Sequence, residues 1–187
     1  MATISTADFK NGMGLNIKGK YYTLVEFQHV KPGKGGAFVR YKIKDLRTGR
    51  VIDQTVNAGT KFESVQLTTR EMQYLYEDGT AYYFMDMENY EQIPVPTDMI
   101  GENAKWMKEN DICLLRYAND ELLGVEPPMF IEVQITQTDP GFKGDTVQGG
   151  TKPATVETGA TIQVPMYLNV GETVKVDTRT GKFVSRV

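Results

Sequence analysis

Turn chemistry recurs every few residues along this chain and leaves room for little except short strands. Arg47-Thr48-Gly49, Asp78-Gly79, Asn119-Asp120 and Arg179-Thr180-Gly181 each sit between runs rich in Val, Ile, Tyr, Phe and Thr. Such runs with such punctuation read as hairpins. Strands are expected over Lys20–Val30, Ala37–Asp45, Arg50–Asn57, Glu71–Glu77, Thr80–Met85, Ile112–Ala118 and Glu121–Val125. The last third adds Met129–Thr138, Thr161–Leu168, Thr173–Asp177 and Lys182–Val187. A single helix is expected over Thr97–Glu109, with Thr97 as N-cap, Ile100, Ala104 and Met107 on one face, and Gly101 weakening its start.

Two breaks divide the chain. Asn57-Ala58-Gly59-Thr60 is one, and Glu126-Pro127-Pro128, where proline interrupts strand pairing, is the other. Within 187 residues they leave pieces at 1–64, 65–127 and 128–187. Pieces of about 60 residues made of antiparallel strands fit small barrels. The expected fold class is therefore all-β: an SH3-like (KOW-type) barrel, then two OB-fold barrels. Asp45-Leu46-Arg47-Thr48-Gly49-Arg50 and Asp177-Thr178-Arg179-Thr180-Gly181-Lys182 echo each other. The same turn chemistry used twice accounts for the echo without a duplication.

Charge distinguishes the three pieces. Residues 1–64 carry 11 Lys and Arg against 5 Asp and Glu; residues 65–127 carry 4 against 13; residues 128–187 carry 6 against 6. A basic first piece beside an acidic second one points to a polyanionic partner for one end only, despite an overall charge of −3. No apolar run approaches the roughly 18 residues needed to span a bilayer. The N-terminus lacks the basic region and apolar core of a signal peptide, so the cytoplasm is the expected compartment, with no membrane partner. Cys113 has no second cysteine to pair with and sits in an apolar run, as a small buried hydrophobe would.

One loop stands out. Lys31-Pro32-Gly33-Lys34-Gly35-Gly36 joins the strand ending at Val30 to the strand beginning near Ala37. Pro32 fixes its own φ, and Gly33 is expected to take the positive φ of a tight turn. Gly35 and Gly36 leave Lys34 without a bulky C-terminal neighbour, with Lys31 and Arg40 further back on the shaft. The product is a thin cationic probe. It is not a nucleotide-binding P-loop, which needs Gly-Lys-Ser/Thr opening a helix. A second loop, Asp139–Thr151, is long for a connection inside a compact domain and rich in glycine.

Catalytic chemistry is scarce. The one histidine, His29, lies just below the probe, and no nucleophile signature surrounds Ser5, Ser64, Ser185 or Cys113. One His and one Cys do not make a zinc site. The carboxylates of the middle piece lack metal or acid–base spacing. A Schiff-base role for Lys34 needs desolvation that a glycine-rich tip does not provide. No catalytic residue, metal or cofactor is expected.

The order of these motifs resembles the bacterial elongation factor P family. The resemblance rests on Pro32-Gly33-Lys34-Gly35 with Ala37-Phe38-Val39-Arg40, and on Lys152-Pro153-Ala154, Gly159, Ile162, Val164-Pro165, Leu168 and Gly171. Val176-Asp177-Thr178-Arg179-Thr180-Gly181, Gly144-Asp145-Thr146 and, more weakly, Tyr74-Leu75-Tyr76, Phe84-Met85-Asp86 and Tyr90-Glu91-Gln92 add to it. The resemblance implies an L-shaped, tRNA-like monomer bound to both ribosomal subunits between the peptidyl and exit sites. It implies that Lys34, lengthened by a lysine-modifying enzyme, steadies the CCA end of peptidyl-tRNA, above all prolyl-tRNA, and relieves stalling at consecutive prolines. It implies that Pro32, Gly33, Gly35 and Gly36 support the tip and that Lys31, Arg40 and Lys42 meet RNA backbone. Gly144, Asp145, Thr146, Gly149 and Gly150 would face the exit-site codon on the small subunit. Two other readings are a general single-stranded RNA-binding protein, with Tyr82, Tyr83 and Tyr90 as stacking platforms, and an enzyme with Lys34 as nucleophile.

Overall fold

The computed structural model describes residues 2–141 and 150–187, and the all-β expectation holds: sixteen strands lie in three sheets among the described residues. The first sheet contains β1 (Ala2–Ser5), β2 (Gly14–Ile17), β3 (Lys20–Val30), β4 (Phe38–Asp45), β5 (Val51–Asn57) and β6 (Lys61–Val65), in the order β1-β6-β2-β3-β4-β5. The second contains β7 (Leu67–Glu77), β8 (Ala81–Asp86), β9 (Gln92–Pro96), β10 (Ile112–Ala118) and β11 (Glu121–Glu126), in the order β11-β10-β7-β8-β9. The third contains β12 (Phe130–Thr138), β13 (Thr151–Val156), β14 (Thr161–Pro165), β15 (Thr173–Asp177) and β16 (Lys182–Arg186), in the order β14-β13-β12-β15-β16. By compactness the chain forms two units, Met1–Arg70 with Leu115–Gly124, and Glu71–Leu114 with Val125–Val187.

In the first unit, alternation along β4 decides what faces where. Val39, Tyr41 and Ile43 enter the core, while Arg40, Lys42 and Lys44 point the other way, as a period of two requires. Phe9 fills the centre of this core. Its ring packs on Phe27, Tyr41 and Phe62 with centroids 5.7, 5.7 and 5.2 Å away. Gly14 is obligatory on β2, because a Cβ there would lie 2.6 Å from the Val65 carbonyl oxygen and 2.7 Å from Leu67.

In the second unit, β12 buries Ile131, Val133 and Ile135 and exposes Glu132 and Gln134. These join Val156, Ile162, Val164, Leu168, Val174 and Val176 in one core, with Trp106 and Phe183 packed at its margin. The two echoing turns are the same device. Asp45 Oδ1 accepts from the N–H groups of Arg47 (2.8 Å) and Thr48 (3.0 Å), and Asp177 Oδ1 accepts from that of Arg179 (2.9 Å). Each turn closes on a glycine with positive φ, Gly49 at 73° and Gly181 at 67°.

The expected helix over Thr97–Glu109 is not formed as such. A single α-turn, Thr97–Ile100, passes into a 3₁₀ segment, Gly101–Trp106, and Met107 is already extended. Gly101, at φ 53° and ψ −130°, leaves the helical region and breaks the segment. Ile100 and Met107 are nevertheless buried, so the apolar spacing marked the right side chains and the wrong backbone.

Candidate functional site

The probe is built by β3 and β4, which pair antiparallel from Tyr22↔Asp45 to Val30↔Phe38. The register slips between Leu24 and Glu26, so one extra residue bulges from β3 partway along the shaft. Beyond Val30 the chain leaves the ladder, and residues 31–36 are exposed throughout. The return is fixed where the Ala58 N–H donates to the Ala37 carbonyl at 2.9 Å.

Lys34 stands at the apex and makes no hydrogen bond, ion pair or ring contact among the described residues. The positive φ falls on Gly35, at 104°, and not on Gly33, where the Pro-Gly pattern placed it. Pro32 constrains only its own φ, and the chain reverses one step after Lys34 rather than before it. Added Cβ atoms at Gly33, Gly35 and Gly36 would meet nothing within 4 Å among the described residues. At this tip glycine supplies backbone freedom and slimness, not close packing.

The three shaft cations differ. Lys31 is exposed and unpaired among the described residues. The Arg40 guanidinium lies 5.6 Å from the centroid of the Phe38 ring, with no carboxylate partner among the described residues. Lys42 is tied to Glu26 at 2.5 Å, and that hydrogen bond, with the Glu26 and Asp53 charges, holds its ammonium above the ordinary lysine range. Lys42 is thus already neutralised in the fold, whereas Lys31 and Arg40 present net charge. His29 packs edge-on against Phe27 at 5.5 Å, as an aromatic of the shaft. Of the second loop, Gly144, Asp145, Thr146 and Gly149 lie outside the described residues. Gly150 is exposed and leads directly into β13.

Sequence reasoning missed what holds the root of the probe. At the base of β3 the Tyr21 hydroxyl donates to Glu121 Oε2 at 2.8 Å, and Arg47 Nη2 donates to Glu121 Oε1 at 2.9 Å. Beside them Asn119 N–H donates to the Gln66 carbonyl (2.7 Å), and Gln66 N–H donates to Asn119 Oδ1 (3.1 Å). Beneath lies an apolar cluster of Val65, Ala118 and Leu123 with Tyr21, Leu46 and Leu67 at its edge. A carboxylate 100 residues from its tyrosine leaves no local signal in the sequence.

This contact can be titrated. The hydrogen bond to Glu121, then burial and the Glu121 charge, raise the Tyr21 phenol above its ordinary value. A raised folded-state pKa makes the contact's contribution complete below the unfolded value of about 10 and lost as pH climbs through the folded one. Glu121→Leu is expected to bring the Tyr21 titration down toward that ordinary value in NMR of ring-labelled tyrosine. An unmoved titration would mean the contact does not form in solution.

Comparison with known proteins follows the same order along the chain. Residues 5–62 match the elongation factor P KOW-like domain, residues 67–125 the elongation factor P OB domain, and residues 131–186 the C-terminal domain of elongation factor P. Elongation factor P of Caldanaerobacter subterraneus subsp. tengcongensis is 53% identical over 184 residues, covering 98% of this chain and 100% of that one. Elongation factor P of Frankia casuarinae is 53% identical over 187 residues, covering 100% and 99%. Among solved structures, the eukaryotic translation initiation factor 5A from Methanococcus jannaschii shares the fold at a TM-score of 0.50 and 21% identity, over 66% of this chain and 95% of that one. With its parts matched in order and about half its residues shared end to end with these relatives, the chain belongs to the elongation factor P family.

Proposed function

We propose that this translation factor binds the ribosome between the peptidyl and exit sites and accelerates peptide-bond formation at consecutive prolines by steadying peptidyl-tRNA with Lys34. The observation that carries this reading is the isolation of Lys34: an amine at the apex of a long two-stranded shaft, glycine-flanked and without a bonding partner among the described residues. Proline is a constrained nucleophile, so its stalling is a problem of position, and ordering the reactants lowers such a barrier. The factor is not an enzyme; the ribosome makes the bond. Lys34 contributes reach, charge beside phosphate and a loss of tRNA mobility. Lys31 and Arg40 fit RNA backbone better than Lys42, whose charge Glu26 already balances.

The same reading takes the chain as three barrels, 1–64, 65–127 and 128–187, acting as a cytoplasmic monomer. A lysine-modifying enzyme extends Lys34, and residues 144–146 with Gly149 and Gly150 face the exit-site codon. A general RNA-binding role is less well supported, because the tyrosines that would stack bases lie in the acidic piece.

The test is synthesis of a peptide with three consecutive prolines on purified ribosomes. Protein from its native host is expected to accelerate that message and leave a proline-free message unchanged. Equal effects on both messages, or none, would overturn the reading.

A further inference from the structure

The outer face of the second sheet carries an aromatic row that the probe does not account for. Tyr76 on β7, Tyr83 on β8 and Pro94 on β9 stand directly opposite one another across three strands. Their neighbours along the chain, Phe84 and Val95, turn inward and are fully buried. The Tyr76 and Tyr83 rings stack with centroids 4.6 Å apart and planes 15° from parallel, and Tyr76 is 45% exposed. The next row, Gln73, Met85 and Gln92, continues the face with side chains able to pack and accept hydrogen bonds.

Strands two and three of an OB barrel are where such folds hold oligonucleotides, and stacked aromatics suit bases. Charge selects a different guest. From Glu71 of β7 through β9, residues 71–96 carry five exposed carboxylates, a buried one at Asp86, and no Lys, Arg or His, while Arg70, the one cation of the three strands, lies over the Tyr117 ring at 5.1 Å. Asp78 sits at the end of the tyrosine row, where its Oδ2 accepts from the Tyr83 hydroxyl at 3.0 Å. The N–H groups of Thr80 and Ala81, at 2.9 Å each, hold that carboxylate well below the usual range, so it stays ionised. A phosphate backbone laid here would find repulsion and no counter-charge. A guanidinium would find a ring to lie on and carboxylates to pair with.

The geometry points to a docking face for an arginine-bearing segment of a basic protein, with arginine stacked on the Tyr76–Tyr83 pair and neighbouring cations meeting the surrounding carboxylates. This goes beyond the role proposed for Lys34 and does not depend on it, because the face lies on other strands and its ligand is a protein.

The test uses the full-length, ¹⁵N-labelled protein with three probes: a twelve-residue peptide of alternating arginine and glycine, its lysine counterpart, and a ten-residue oligouridylate. The arginine peptide is expected to shift amides of β7, β8 and β9, more strongly than the lysine peptide at equal concentration. Tyr76→Leu should weaken that binding about fivefold, the size of one cation–π contact at a partly exposed site. Tyr76→Phe, which keeps the ring, should restore it, and both variants should melt with the wild type. The inference is overturned if the shifts avoid these strands, if Tyr76→Leu binds as the wild type does, or if oligouridylate occupies the same face. Wild-type protein that binds the arginine peptide on these strands but does not accelerate the three-proline message would overturn the Lys34 reading and leave this one standing.

Discussion

Lys34→Ala is expected to remove most of the acceleration on a three-proline message and to leave thermal unfolding unchanged. The side chain is exposed and bonded to nothing among the described residues, so its removal breaks no fold contact. Surface changes of this kind fall within about 0.5 kcal/mol of neutral. A loss of activity therefore has to come from what Lys34 touches outside the chain. If the amine supplies roughly 2–3 kcal/mol of the 7–11 kcal/mol that full positioning can be worth, the rate falls about 30- to 150-fold. Gly35→Val separates charge from geometry. It keeps Lys34 but forbids the φ of 104° that turns the chain behind it, so it should lose activity as well. Wild-type rates for Lys34→Ala would leave the tip without a role and sink the positioning account.

What could be read from the sequence was whatever the chain decides locally. The β4 alternation of Val39, Tyr41 and Ile43 with Arg40, Lys42 and Lys44 is a two-residue pattern and folds as one. The twin Asp-x-Arg-Thr-Gly turns carry their own hydrogen-bond acceptor and their own glycine. The Lys34 tip was legible for the same reason. Short or polar strands were not: β1, β2 and β6 are four or five residues each and gain their place only by pairing with one another and β3. The prolines of β9 argue against a strand, yet β9 ends its sheet, where a missing donor costs nothing. At Gly101 a backbone choice overrode an apolar spacing that favoured helix. The Tyr21–Glu121–Arg47 contact and the Tyr76–Tyr83–Pro94 row depend on registers between distant or separately punctuated strands, which no window of the sequence contains.

Phe84→Ala is expected to destabilise the second unit by about 3–5 kcal/mol, the range for emptying an aromatic site in a packed core. Phe84 is fully buried on β8, between Tyr74 and Ile93 on the flanking strands, with the Tyr74 ring 5.7 Å away. The surrounding sheet is hydrogen-bonded on both sides of β8, so the backbone cannot collapse far into the void. The chain carries its own reporter for this loss. Cys113 on β10 is fully buried, and burial, with the Asp111 charge, pushes its thiol up to about 12. A thiolate-seeking reagent at neutral pH therefore reaches it only when the unit opens, at a rate set by the opening equilibrium. A loss of about 4 kcal/mol, at 1.4 kcal/mol per tenfold, should speed labelling of Cys113 roughly 10³-fold. Val170→Ala, at an exposed site of the same unit, should change it less than about threefold. An acceleration below tenfold in Phe84→Ala would mean that Cys113 is reached by a local opening that leaves Phe84 packed, and that the second sheet does not unfold as one body.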